Sequence, residues 1–241
     1  MITKQAIHSA IDQLILSASG WRGIFAIDNN EESAAGEISE AHRIISGAAA
    51  LIFADYLKKI SDSPMVFTGC DTRPTGKAIA DAVNSVLLAS GCGVRYSGFT
   101  AAPEIMAWAR GRERGTGFIY ISASHNPVGF NGLKFGLTDG GVLAAEETQK
   151  LIADFRSFFE RDDCVEIIES LFSAADNDRL LNLYDGTEDA KADALKAYSG
   201  FCGEVVWNSN AAIASAVKSS LGCTPAGGLS EGVGYDVVTR A

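Results

Sequence analysis

The sequence predicts an α/β fold: a layered α/β/α domain on a mixed, largely parallel sheet, followed by a partial second α/β domain. Three observations carry this. Between residues 24 and 159, short apolar runs alternate with stretches of helical period. The polar loops DTRPTG (71–76) and SASHNP (122–127) each follow an apolar run, the end of a strand at which ligands collect in such sheets. Hydrophobic residues make up 47% of 241, enough for one large domain or for one complete domain and part of another.

Taken in order, apolar positions recur at helical spacing from Ile2 to about Leu16, interrupted by Asp12 and Gln13 as in an amphipathic helix rather than a secretion signal. SASGWRG (17–23) breaks that pattern with small residues, and IFAID (24–28) reads as a short strand. Residues 38–57 form an alanine-rich helix, and PMVFTGC (64–70) a buried strand ending in a turn. A helix from Lys77 is closed by Gly91, and GVRYSGF (93–99) is the next strand. Pro103 opens a helix from Ala102, because proline is tolerated in a first helical turn. GTGFIYISAS (115–124) is an apolar strand running into the second polar loop, and Glu146 to Phe159 is a further amphipathic helix.

From ERDD (160–163) to Asp193 the sequence is more polar, and the expected domain limits are 1–175 and 176–241. The last stretch, from Asn208, is dominated by Ala, Ser and Gly and has little with which to build a core. It reads as an incomplete domain or as sequence that is not native-like.

The net charge of −10 argues against a general binder of nucleic acid or anionic membrane, since phosphate affinity accumulates from positive charge. An anionic ligand must then be held by a few local groups. Five scattered cysteines without Cys-x-x-Cys spacing read as free thiols in a reducing cytoplasm, and no run reaches the length of a membrane span.

Those local groups concentrate in YISASHNPVGFNGLKFG (120–136). A serine carries chemistry only with a base, a positioned electrophile or a phosphate that it passes on. His125 adjoins Ser124 in an extended segment, where neighbouring side chains point apart, so it suits acid or base work on a substrate instead. Asn126 and Pro127 make a turn, and Gly129 and Gly132 let the backbone approach a ligand. Lys134 can return to the loop from a following strand, and with backbone N–H groups it makes a phosphate-binding set. Arg22 and Arg73, in turn-like contexts, add to a focused anion site. The same Ser-His-Asn-Pro turn is equally readable as a cap on the next element.

ISASHNP followed by NGLKF resembles the active-site loop of the α-D-phosphohexomutase superfamily, which includes phosphoglucomutases and phosphomannomutases. SGWRG, GCDTRPTG and GFTAAPE follow that family's order, and the likeness runs from about Ser19 to Phe159, with an echo in ALKAYSGFCGEVV from Ala194. The resemblance implies that Ser124 is a phosphocarrier. It would donate its phosphoryl group to a hexose phosphate and take one back from a hexose bisphosphate, with one phosphate oxygen ligating Mg2+. It also implies His125 as acid or base, Lys134 and Arg22 as stabilisers of the phosphoryl group, and Asn126, Arg73 and Asn131 as substrate or phosphate ligands.

The family's Asp-Gly-Asp-x-Asp-Arg metal segment, its Gly-Glu-x-Ser-Gly sugar loop and its Arg-x-Ser-Gly-Thr clamp are not in this sequence. They belong to the family's domains III and IV, which are therefore expected as partners. Cys70 stands where the family often has a basic residue, and Ala102 where it has threonine. The expected function is the amino-terminal part of a magnesium-dependent mutase, an isomerase by resemblance, with this chain expected to be inactive alone because the metal and sugar loops are missing. The alternatives are a non-catalytic sugar-phosphate-binding fragment and a truncated product.

Overall fold

The computed structural model describes residues 2–205. The compositional change from Asn208, most of the expected second domain and Cys223 lie outside the described residues. Six strands make one sheet: β1 (Ile15–Ser17), β2 (Gly20–Ile24), β3 (Met65–Cys70), β4 (Gly93–Phe99), β5 (Thr116–Ile121) and β6 (Phe130–Leu137). Their order is β1-β2-β6-β5-β3-β4. Parallel pairing is confined to β5, β3 and β4, while β1, β2, β6 and β5 run antiparallel in turn. The layered mixed fold holds, and its parallel part is three strands wide.

Helices α1 (Lys4–Asp12), α2 (Glu40–Lys58), α3 (Gly76–Ala89), α4 (Ala102–Ala109) and α5 (Ala145–Glu160) surround the sheet, followed by α6 (Cys164–Ala174), α7 (Asn177–Asp185) and α8 (Thr187–Gly203). Strand alternation divides the core. Val66, Ile119, Ile121, Leu133 and Phe135 join α2, α3, α5 and α6 in the larger cluster. Phe67, Phe118 and Tyr120, one residue out of phase on β3 and β5, pack with Ile105 and Trp108 of α4 and with Ala190 and Ala194 of α8. The expected limit at residue 175 therefore falls between α6 and α7, and α8 beyond it rests on the same sheet.

Two expectations near the amino terminus are corrected. The first helix stops at Asp12, and residues 15–24 form a hairpin. The expected strand at 24–28 is replaced by β2, ending at Ile24, with only Ala26 bridging to Ile38 beyond it. The small residues of SASGWRG do not merely break a pattern. Gly20 takes φ +128°, which makes the reversal, and Gly23 lies where an added Cβ would come within 2.7 Å of Leu14. Trp21 drives the pairing: it is 3% exposed and packs on Phe135 and Phe155.

Candidate active site

The site is assembled at the carboxyl ends of β3 and β5. The Ser122 N–H donates to Gly132 O at 2.9 Å, which extends the β5–β6 ladder by one step before the loop departs. Two turns then fold the loop, closed by the Asn126 N–H to Ala123 O (3.2 Å) and the Phe130 N–H to Pro127 O (3.1 Å). Gly129 is needed at this fold because an added Cβ would lie 2.1 Å from the carbonyl oxygen of Asn30. Ser124 sits in the left-handed region at φ +56°, and its N–H donates to the Ser122 hydroxyl at 3.0 Å. A non-glycine residue held there signals a conformation imposed by its surroundings.

Lys134 reaches Ser124 from β6, where its backbone is the cross-strand partner of Tyr120. Its Nζ donates to Ser124 Oγ at 2.9 Å. Arg22 on β2 is the partner of Gly132, two residues from Lys134 on the adjoining strand and on the same sheet face. Burial lowers the Lys134 pKa, and the Arg22 cation lowers it further, while Asp71 acts in the opposite sense. Arg22 Nη2 donates to the Ser19 hydroxyl at 3.0 Å, and its Nε is buried without a partner. Asn126 Oδ1 is likewise buried and unpartnered. Ser124 and His125 are exposed. The structure thus sets an ammonium on the serine hydroxyl, places a second cation on the neighbouring strand, and leaves the adjoining histidine exposed.

Arg73 and Asn131 are placed differently from the sequence expectation. Asn131 is fully buried, with Nδ2 donating to Thr75 Oγ1 (2.9 Å) and Oδ1 accepting from the Gly132 N–H (2.9 Å). The Arg73 guanidinium is turned onto the loop's own carbonyls and onto Asp71. Both are scaffold in this chain rather than open donors. Sequence reading gave no role to Asp71, Ser122 or Thr75, whose hydrogen bonds hold the loop. Only the position of Asp71 two residues before Arg73 offered a signal, since Asp side chains bond their own backbone two residues on.

The two departures at the edge of the site have local explanations. The Cys70 side chain is buried beside the Tyr96 hydroxyl at 3.5 Å, and burial pushes its thiol up to about 11, so it is inert. Without a threonine hydroxyl before Pro103, the start of α4 is tied by Glu104, which accepts from the Ala101 N–H at 3.4 Å.

A family model described as phosphoglucomutase/phosphomannomutase, alpha/beta/alpha domain I, matches residues 14–161, more than half of the chain. The chain belongs to that family. A phosphoglucomutase/phosphomannomutase of Thermococcus kodakarensis is 34% identical over 113 residues, 46% of this chain and 24% of the relative. A phosphoglucosamine mutase of Bacillus cereus is 36% identical over 97 residues, 40% of this chain and 21% of the relative. The chain thus spans about a quarter or less of the length of these curated relatives. A solved phosphoglucomutase/phosphomannomutase family protein of Burkholderia thailandensis has a TM-score of 0.47 at 20% identity, covering 65% of this chain and 31% of that one. Phosphoglucomutase and phosphomannomutase relatives are isomerases, and the chain shares that kinship through its domain I.

Proposed function

We propose that this chain is the phosphoserine-bearing part of a phosphohexomutase, acting in carbohydrate metabolism in the cytoplasm on a hexose phosphate and a hexose bisphosphate. The observation that supports this best is the 2.9 Å contact of Lys134 Nζ with Ser124 Oγ, with Arg22 close enough to affect the Lys134 proton. In phosphoryl transfer the protein mainly positions groups and neutralises charge. A sugar hydroxyl oxygen attacks phosphorus on Ser124, and the bond from phosphorus to Oγ breaks. Lys134 stabilises the departing serine oxygen, Arg22 the equatorial phosphoryl oxygens, and His125 takes the hydroxyl proton. In the reverse direction, with the bisphosphate turned round, its other phosphoryl group returns to Ser124. Phosphate is thereby moved between the 1- and 6-positions.

The described residues do not by themselves make a magnesium site. No group of three His, Cys, Asp or Glu side chains that could hold a metal is found among them, and Ser124 offers a single oxygen. The magnesium requirement and the partnership with domains III and IV belong together in this proposal, those domains supplying the carboxylates.

The test is incubation of the chain, joined to domains III and IV of a relative and supplied with Mg2+, with a hexose 1,6-bisphosphate, followed by intact-mass analysis. One phosphoryl group is expected on wild type and none on Ser124→Ala. Lack of any phosphorylation, in the presence of saturable hexose phosphate binding, would instead support a non-catalytic sugar-phosphate-binding fragment, the reading favoured by the absence of a carboxylate cluster among the described residues.

A further inference from the structure

The geometry points to Arg73 as a positioning residue that holds Ser124 in its strained conformation and so aims Oγ at Lys134. This inference rests on the proposed phosphocarrier role of Ser124 for its chemical consequence, and on the loop geometry alone for its structural one.

A guanidinium has five N–H donors in a fixed planar fork. In Arg73 each of them has a partner. Nε donates to Asp71 Oδ2 at 3.2 Å, Nη1 to the carbonyls of Pro127 and Phe130 (the latter at 3.0 Å), and Nη2 to those of Ser124 (2.8 Å) and Asn126 (2.6 Å). The side chain is only 10% exposed, so these bonds face little competition from water. Nothing remains with which to grip a phosphate.

Four carbonyls drawn from a seven-residue loop converge on this one cation. Without it the converging oxygens would lose their shared cation, only that of Pro127 keeping a partner in the Phe130 N–H, and the loop would open. With it, the Ser124 carbonyl is pinned, which fixes the peptide following a residue at φ +56°. Asp71 completes the device. Its Oδ1 accepts from the Arg73 N–H (3.1 Å) and its Oδ2 from Nε, and its own N–H donates to Ile121 O (3.0 Å) at the end of β5. The fork is thus registered against the strand that delivers the serine. A lysine at this position would keep the charge but could not span four carbonyls.

The experiment compares wild type with Arg73→Gln and Arg73→Lys in three measurements: residue-resolved amide exchange and inorganic phosphate binding on the chain itself, and phosphorylation by a hexose 1,6-bisphosphate with the chain joined to domains III and IV of a relative and Mg2+ present. In both variants the Asn126 and Phe130 amides are expected to exchange about 10-fold faster or more, with those of β3 and β5 unchanged. The phosphorylation rate is expected to fall about 100-fold with the bisphosphate KM unchanged, the mark of misplacement rather than lost binding. Loop exchange unchanged in Arg73→Gln overturns the inference, and weaker phosphate binding with an intact loop would make Arg73 a phosphate ligand. Faster exchange spread evenly over β3 and β5 also overturns it, because the loop is then not what Arg73 holds. If wild type takes no phosphate while Arg73→Gln still frees the loop, the positioning role stands and the phosphocarrier reading fails.

Discussion

At Lys134 the surroundings work against the charge that its proposed role requires. Its ammonium is partly buried and faces the Arg22 cation, so its proton is held less tightly in the folded chain than in the unfolded one. The sign follows: the charged form opposes folding at neutral pH, and this opposition fades as pH rises through the lowered native pKa. Lys134→Met, of similar shape and without charge, is expected to leave stability unchanged or raise it by up to about 1 kcal/mol in urea unfolding. It is also expected to abolish phosphorylation of Ser124. His42 is shifted in the same direction, from its ordinary 6.5 to about 4, because burial disfavours its charged form. It packs at a tilt against Phe25 and shares a 2.9 Å hydrogen bond with Ser39. The unfolded chain takes up the proton first as pH falls, so stability is lost from about pH 6.5 down to about pH 4. Between pH 7 and 5, His42→Gln should flatten the stability profile by roughly 2 kcal/mol, measured from urea midpoints. The meeting of Lys134 with Ser124 was foreseeable from sequence because the two lie within eleven consecutive residues. The direction of Arg73 was not, because whether a guanidinium meets solvent or a neighbouring loop depends on a contact across more than fifty residues.

At the scale of elements, the join between β2 and β6 is the least forgiving. A Cβ placed on Gly132 would stand 2.0 Å from the carbonyl oxygen of Trp21 and 2.9 Å from the Arg22 Cα, and neither backbone atom can turn aside. Gly132→Ala is therefore expected to cost about 3 kcal/mol in urea unfolding and to part Arg22 from Lys134. A matching change at exposed Gly111 or Gly91 has open space around it but meets a positive φ, so it costs only about 1 kcal/mol. The hairpin escaped sequence reading for the same physical reason. Glycines that permit close strands look, in one dimension, like residues that end a helix. The buried strands β3 and β5 and the helices α2, α3 and α5 were legible because each carries its own unbroken apolar pattern.

At the scale of the whole molecule, among the described residues, α8 and Glu204 just beyond it are attached to the sheet's smaller core and its flank by small residues and three ion pairs of unequal weight. Arg95–Asp193 and Arg110–Glu204 join half-exposed side chains, whereas Glu104, paired with Lys191, is 2% exposed on its side chain. Screening makes the first two worth little, while a buried carboxylate left without its partner is expensive. Lys191→Met is thus expected to lower stability by about 3 kcal/mol and Asp193→Ala by less than about 1 kcal/mol, compared in urea unfolding curves. This docking could not be foreseen from a segment that reads as polar, because Ala190, Ala194 and Ala197 show no strong apolar stripe until large aromatic partners are set against them.

The antiparallel return from β5 to β6 has one more consequence. Ser124 and Lys134 are delivered by a single hairpin, with both ends of the connection anchored in adjacent strands of one sheet. The acceptor oxygen and its counter-charge therefore move as one cassette. Provided that Arg73 keeps its grip on the Ser124 carbonyl, a shift of elements packed elsewhere on the sheet leaves the distance between them unchanged.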